Sequence, residues 1–94
     1  MTVSISVQAV ARQLAISPED LQRQAILAFL RDRTLFYNAE RLRLCRQYGV
    51  SSLQEMDGLI YRGEVDEETI LQDFQRVDFL TAELRKLEGL TKAV

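Results

Sequence analysis

The sequence predicts a mainly α-helical protein with one short N-terminal β-strand that is paired across a dimer. Three observations favour this fold class. Polar and apolar side chains alternate over residues 2–7, which is the period of a half-buried strand. Apolar residues recur at spacings of three and four over most of the remaining chain, as in amphipathic helices. Capping residues and glycines divide that part into a short helix, a long helix, a short helix and a C-terminal helix.

The predicted strand has two chemically different faces. Its apolar face consists of Val3, Ile5 and Val7, and its hydroxyl face consists of Thr2, Ser4 and Ser6. A single strand leaves a whole row of backbone amides unpaired, and two strands alone are only marginally stable in water. We therefore expect the strand to pair with its own copy in a second chain, which predicts a homodimer.

Two helices are predicted next. A short helix spans about Gln8 to Ala15, and Ser17 caps a second helix that has Pro18 at its first position. No glycine or further proline occurs before Gly49, so this second helix has about thirty residues. It carries a long series of apolar positions: Leu21, Ala25, Ala28, Phe29, Leu35, Phe36, Ala39, Leu42 and Cys45. Such a helix is longer than a 94-residue monomer easily covers, which favours a second dimer contact along it.

The C-terminal half predicts two more helices. Ser52 and Glu55 form a capping box for a short helix that Gly63 ends. Asp66 caps the last helix, which is expected to stop at Gly89. This helix carries an apolar stripe, partly with coiled-coil spacing, that consists of Phe74, Val77, Leu80, Leu84 and Leu87. The stripe has two interpretations: it binds a partner protein, or it packs on the long helix of its own chain.

Composition restricts the function classes. The chain has no histidine and a single cysteine, Cys45, so we expect no metal site, no intramolecular disulfide and no cofactor. It also lacks a histidine-dependent hydrolase triad and a glycine-rich phosphate loop, so we expect no catalytic residues and no enzyme activity. No apolar run approaches the roughly 20 residues of a membrane span, and no signal-peptide pattern is present. A cytoplasmic protein without a membrane partner is expected.

Charge is distributed unevenly along the chain. Residues 1–50 contain seven arginines and four acidic residues, a balance of +3, whereas residues 51–94 contain five basic and ten acidic residues, a balance of −5. A basic half favours a polyanion and an acidic half favours a basic protein. Solvated faces of helices explain the same asymmetry equally well.

The predicted strand, short helix, capped turn and start of the second helix, Thr2–Arg33, resemble the ribbon-helix-helix fold of prokaryotic DNA-binding regulators and antitoxins. The resemblance implies that the hydroxyl face of the strand, Thr2, Ser4 and Ser6, contacts the bases of operator DNA. It further implies that Ser17 and the neighbouring amides hold a phosphate. The apolar face of the strand would close the dimer core together with Leu14, Leu21, Ala25 and Ile26.

The leading hypothesis is accordingly a dimeric antitoxin-like regulator of a prokaryotic toxin-antitoxin operon. Residues 1–33 form its dimerisation and operator-DNA-binding segment, and residues 34–94 form a helical extension that binds a toxin protein through its acidic half. The alternative is a helical structural or adaptor protein that binds protein only. Strong, salt-sensitive DNA binding would favour the first hypothesis, and its absence would favour the second.

Overall fold

Four α-helices make up the part of the chain that the computed structural model describes, residues 5–94. They are α1 (Val7–Leu14), α2 (Pro18–Gln47), α3 (Leu53–Tyr61) and α4 (Glu67–Ala93). The predicted helical series is confirmed, and the long helix has thirty residues as expected. The last helix differs from its prediction at one end, because α4 continues through Gly89 to Ala93.

Each helix begins at a side-chain cap. The hydroxyl oxygens of Ser6, Ser17 and Ser52 each accept a hydrogen bond at 3.1 Å from the backbone amide three residues later. Asp66 caps α4 in a similar way through the amide of Glu68. At α3 the carboxylate of Glu55 accepts a bond from the Ser51 amide at 2.6 Å, and this bond lowers the pKa of Glu55. The caps predicted for α2, α3 and α4 are therefore confirmed.

The predicted strand over residues 2–7 is wrong. Ser6 is the N-cap of α1, and Val7 is the first residue of that helix. Ile5 precedes the cap with 74% of its surface exposed, and no strand occurs within residues 5–94. Thr2, Val3 and Ser4 lie outside the described residues. The alternation misled because its last two members belong to a helix start, where an extended serine cap precedes an apolar residue of the first turn.

α2 and α4 pack side by side in opposite directions, and α3 packs on α4 near the turn that connects them. Contacts along the pair show the direction, since Tyr48 meets Asp73 and Tyr37 meets Phe79 further along α4. Leu27 of α2 and Thr91 near the end of α4 line the same surface depression. The first turns of α2 precede this point, and α1 packs on α2.

The core lies where α2, α3 and α4 meet. Its fully buried side chains, with less than 2% of their surface exposed, are Cys45, Met56, Ile70, Val77 and Leu80. Burial raises the pKa of the Cys45 thiol, as is usual for a free cysteine that packs as a small core residue. Glycines with positive φ follow two of the helices. Gly49 (φ 70°) lies after the end of α2, and Gly63 (φ 67°) lies after the end of α3.

The molecule is long and thin. Its radius of gyration is 19.3 Å, whereas about 12 Å is typical of a compact domain of 94 residues. Its extents along the three principal axes are 60, 34 and 15 Å. The molecule is therefore elongated, and a large part of the apolar surface of α2 stays uncovered.

The hydrogen bond from the Tyr48 hydroxyl to the Asp73 carboxylate, 2.5 Å, links the end of α2 to α4. This bond raises the pKa of Tyr48 from 10.0 to about 12. A raised pKa means that the neutral phenol stabilises the fold below pH 10, and that this contribution is lost as the pH rises towards 12. We expect Tyr48→Phe to lower the free energy of unfolding by about 1 kcal/mol at neutral pH.

The difference in the free energy of unfolding between wild type and Tyr48→Phe should therefore become smaller as the pH rises above 10. Urea denaturation of both proteins at matched concentration across this range measures it. A difference that stays constant with pH would contradict the role assigned to this hydrogen bond.

Candidate protein-interaction surface

The sequence-predicted DNA contacts do not form a ribbon in the described residues. Thr2 and Ser4 lie outside them, and Ser6 and Ser17 are exposed side chains at the starts of different helices. Both hydroxyl oxygens already accept a backbone amide of their own helix. The predicted pairing of residues 2–7 across a dimer therefore cannot involve Ser6 and Val7 as strand residues.

The apolar stripe predicted on the last helix faces its own chain. Val77 and Leu80 are fully buried, and Leu87 is 7% exposed. Phe74 and Leu84 are half-buried. Of its two interpretations, packing within the chain describes where the structure places it. A partner could reach Leu84, because this side chain also borders an open groove.

The larger uncovered apolar surface lies on α2. Phe29, Leu35 and Phe36 have 57%, 65% and 65% of their surface exposed. Phe36 and the buried Cys45 are nine residues apart, which places them on opposite sides of a helix with 3.6 residues per turn. We call this side the outer face of α2, and it consists of Ala25, Ala28, Phe29, Leu35, Phe36 and Ala39, all exposed.

The outer face follows a coiled-coil repeat that the sequence analysis missed. Residues 21, 25, 28, 32, 35, 39 and 42 are separated alternately by four and three positions. Leu30, Leu44 and Cys45, the buried residues of α2, are not part of this repeat. The apolar positions of α2 read as one series in the sequence but form two stripes on different sides of the helix. The regular alternation of four and three was the signal that separates them.

Phe36 stands between two shallow depressions on this face. One, of about 420 Å³, is lined by Phe29, Asp32, Arg33 and Phe36. The other, of about 390 Å³, lies on the other side of Phe36 and also involves Ala39 and Glu40. A ridge of aromatic rings with depressions beside it suits the insertion of side chains from a second helix.

Charged side chains stiffen one edge of the outer face. The Arg33 guanidinium lies 5.1 Å from the centre of the Phe29 ring and 5.7 Å from that of Tyr37. Arg76 of α4 donates two hydrogen bonds, 2.6 and 2.8 Å, to the Glu40 carboxylate. The bond from Arg76 lowers the pKa of Glu40. α4 therefore holds α2 in place beside the exposed aromatic residues.

Neither a cluster of metal-ligating side chains nor a membrane-spanning helix occurs within residues 5–94. No group of three or more cysteine, aspartate and glutamate side chains there is placed to hold a metal ion. None of the helices formed by residues 5–94 combines the length and the apolar character needed to cross a bilayer.

Comparison with known proteins identifies a family. The model of the Uncharacterized protein MJ0235 family matches residues 1–93. The chain belongs to this family. No curated protein and no solved structure matches the chain.

Proposed function

We propose that this protein is a non-catalytic helical adaptor that binds protein and assembles as a homodimer through the outer face of α2. The observation that supports it most is the exposure of Phe29, Leu35 and Phe36 on the outer face of α2, beside or within its coiled-coil repeat. Contiguous exposed apolar side chains on a small protein mark interaction sites, and aromatic residues dominate the energetics of such sites.

The accessible surface supports the need for a partner. The chain exposes 7202 Å², whereas about 5,500 Å² is typical of a compact monomer of this mass. The difference exceeds the roughly 800 Å² that each partner buries in a standard interface. Dimerisation along α2 would cover its outer face, including the exposed Phe29, Leu35 and Phe36.

The residue pattern favours antiparallel pairing of the two α2 helices. Pairing about a two-fold axis near residue 30 sets each Leu35 opposite an Ala25 of the other copy, so large and small side chains alternate. Parallel pairing in register would instead set the two Asp32 carboxylates opposite each other, which is unfavourable. Ala28 and Ala39 allow the two helix axes to approach closely.

This proposal retains the protein-binding part of the antitoxin hypothesis and follows the adaptor alternative. The DNA-binding part depended on a paired ribbon, and Ser6 and Val7 belong to the start of α1 instead. A toxin protein and operator DNA are left out of the proposal, because none of the described surfaces favours either of them.

Sedimentation equilibrium tests the proposal with two matched variants. We expect wild type to have the mass of a dimer in the micromolar range. Phe36→Glu should raise the dissociation constant by at least about 30-fold, because the loss of an aromatic contact in an interface costs about 2 kcal/mol or more. Tyr61→Glu introduces the same charge at a side chain that is 91% exposed in α3, away from the outer face, and should leave the dimer unchanged.

Circular dichroism should show equal helix content for both variants, since both replaced side chains are exposed. A wild-type protein that stays monomeric at every concentration would overturn the proposal. A dimer that Tyr61→Glu disrupts while Phe36→Glu does not would place the contact elsewhere.

A further inference from the structure

A second uncovered surface runs along the seam between α2 and α4. Two openings, of about 460 and 320 Å³, share Thr34 and Glu88 in their linings and so form one continuous groove. It extends from Leu53 at the start of α3 to Lys92 near the end of α4. We call it the seam groove. It is distinct from the outer face of α2, and Leu35 lies on the border between the two.

The floor of the seam groove offers apolar contacts. Leu27, Leu53 and Leu84 line it as half-buried side chains. Three threonines also line it, and each hydroxyl donates to the carbonyl four residues earlier in its own helix at 2.7–2.8 Å, as found for Thr34, Thr81 and Thr91. Their donors are thus satisfied internally, and the side chains contribute mainly their methyl groups to the groove.

The rim of the seam groove is basic. Its charged side chains are Arg31, Arg41, Arg85, Lys92 and the single acidic Glu88. Glu88 is paired with Lys92 at 3.1 Å. Among the described residues, Arg31 and Arg85 form no salt bridge. A local balance of +3 stands out in a chain whose net charge is −2.

We propose that the seam groove binds an amphipathic helix with acidic flanks from a partner protein. A row of apolar contacts between two helices accepts the apolar side of a third helix, with anchors at i, i+4 and i+7. The groove follows α4 from Thr81 to Lys92, about 17 Å or three helical turns, which matches such a segment. Acidic residues on its flanks complement the arginines of the rim.

The inference concerns a surface other than the proposed dimer contact, so either can fail without the other. The probe is a fluorescein-labelled helical peptide of about 15 residues with leucines at i, i+4, i+7 and i+11 and glutamates on its flanks. Its counterpart has lysines in place of the glutamates. Fluorescence anisotropy at low salt should show binding of the acidic peptide and at least about tenfold weaker binding of the lysine peptide.

Two charge-reversal variants distinguish specific binding in the seam groove from nonspecific electrostatic attraction. Arg85→Glu should weaken binding of the acidic peptide by about tenfold. Arg12→Glu changes the net charge of the chain equally, at an exposed position of α1 outside the groove, and should change binding by less than about twofold. Circular dichroism of both variants checks that the fold is retained.

Three results would overturn the inference: equal binding of the two peptides, equal weakening by the two variants, and dissociation of the protein dimer by the acidic peptide. The last would mean that the groove is the contact between copies of this chain. Sedimentation equilibrium of the same samples measures the oligomeric state independently of peptide binding. A monomeric protein that binds the acidic peptide with the expected variant pattern would support this inference and contradict only the proposed dimer.

Discussion

A fragment that ends at residue 65 is expected to lose cooperative folding and to aggregate. Three of the five fully buried side chains in the core between α2, α3 and α4, namely Ile70, Val77 and Leu80, belong to α4. Their removal leaves the apolar surface around Cys45 and Met56 open to water. Burial of each such side chain is worth about 1.5–3 kcal/mol, a large part of the stability of a small domain. Circular dichroism on heating and light scattering of the fragment measure the effect.

The fragment 17–94 is the matched control. It lacks α1 but retains the Ser17 cap of α2, and α1 contributes only Ala11 to the buried side chains. We expect this fragment to stay soluble and to melt cooperatively. A soluble, cooperatively melting fragment 1–65 would contradict the assignment of α4 to the core. It would favour the other interpretation of the apolar stripe, in which it binds a partner protein.

Leu80→Ala is expected to lower the free energy of unfolding by about 2–5 kcal/mol. Leu80 has no exposed surface and lies in the cluster with Leu44 and Met56, so its truncation leaves a cavity that the packed helices cannot easily close. The free energy of unfolding of a 94-residue domain is typically about 5–14 kcal/mol, so the variant should lie near the limit of stable folding.

Leu90→Ala provides the control for the same chemical change. Leu90 lies on α4, ten residues beyond Leu80, with 49% of its surface exposed. The substitution Leu90→Ala should lower the free energy of unfolding by less than about 1 kcal/mol. Urea denaturation at one fixed protein concentration compares the variants, because dimerisation makes the apparent stability depend on concentration. Equal costs for the two substitutions would contradict the placement of the core.

Local signals accounted for most of the helix boundaries. Ser17, Ser52 and Asp66 cap their helices as expected, and Gly49 and Gly63 follow the ends of α2 and α3. Gly89 was the exception, since α4 passes through it. A glycine near a helix end costs only about 1 kcal/mol relative to alanine. Packing of the preceding turns, including the buried Leu87, is sufficient to carry the helix past it.

The N-terminal strand shows where short patterns fail. Over six residues, alternation cannot be separated from an extended cap followed by a helix start, because both place polar and apolar side chains next to each other. The helical spacing of Val7, Val10 and Leu14 continues beyond Ser6 and matches α1. The ribbon-helix-helix resemblance depended on this segment. The DNA contacts that it implies stay predictions, and two of the residues concerned, Thr2 and Ser4, lie outside the described part of the chain.

The sequence by itself determined the order of the four helices and where α2, α3 and α4 begin, because caps and turn glycines act through contacts within three or four residues. It did not determine which apolar side of α2 is buried, since both sides satisfy the period of a helix. Only tertiary packing decided this, since Leu44 and Cys45 are buried in one cluster with residues of α3 and α4, whereas Phe29 and Phe36 stay exposed. Contacts between segments more than thirty residues apart made that choice, and no local pattern records them.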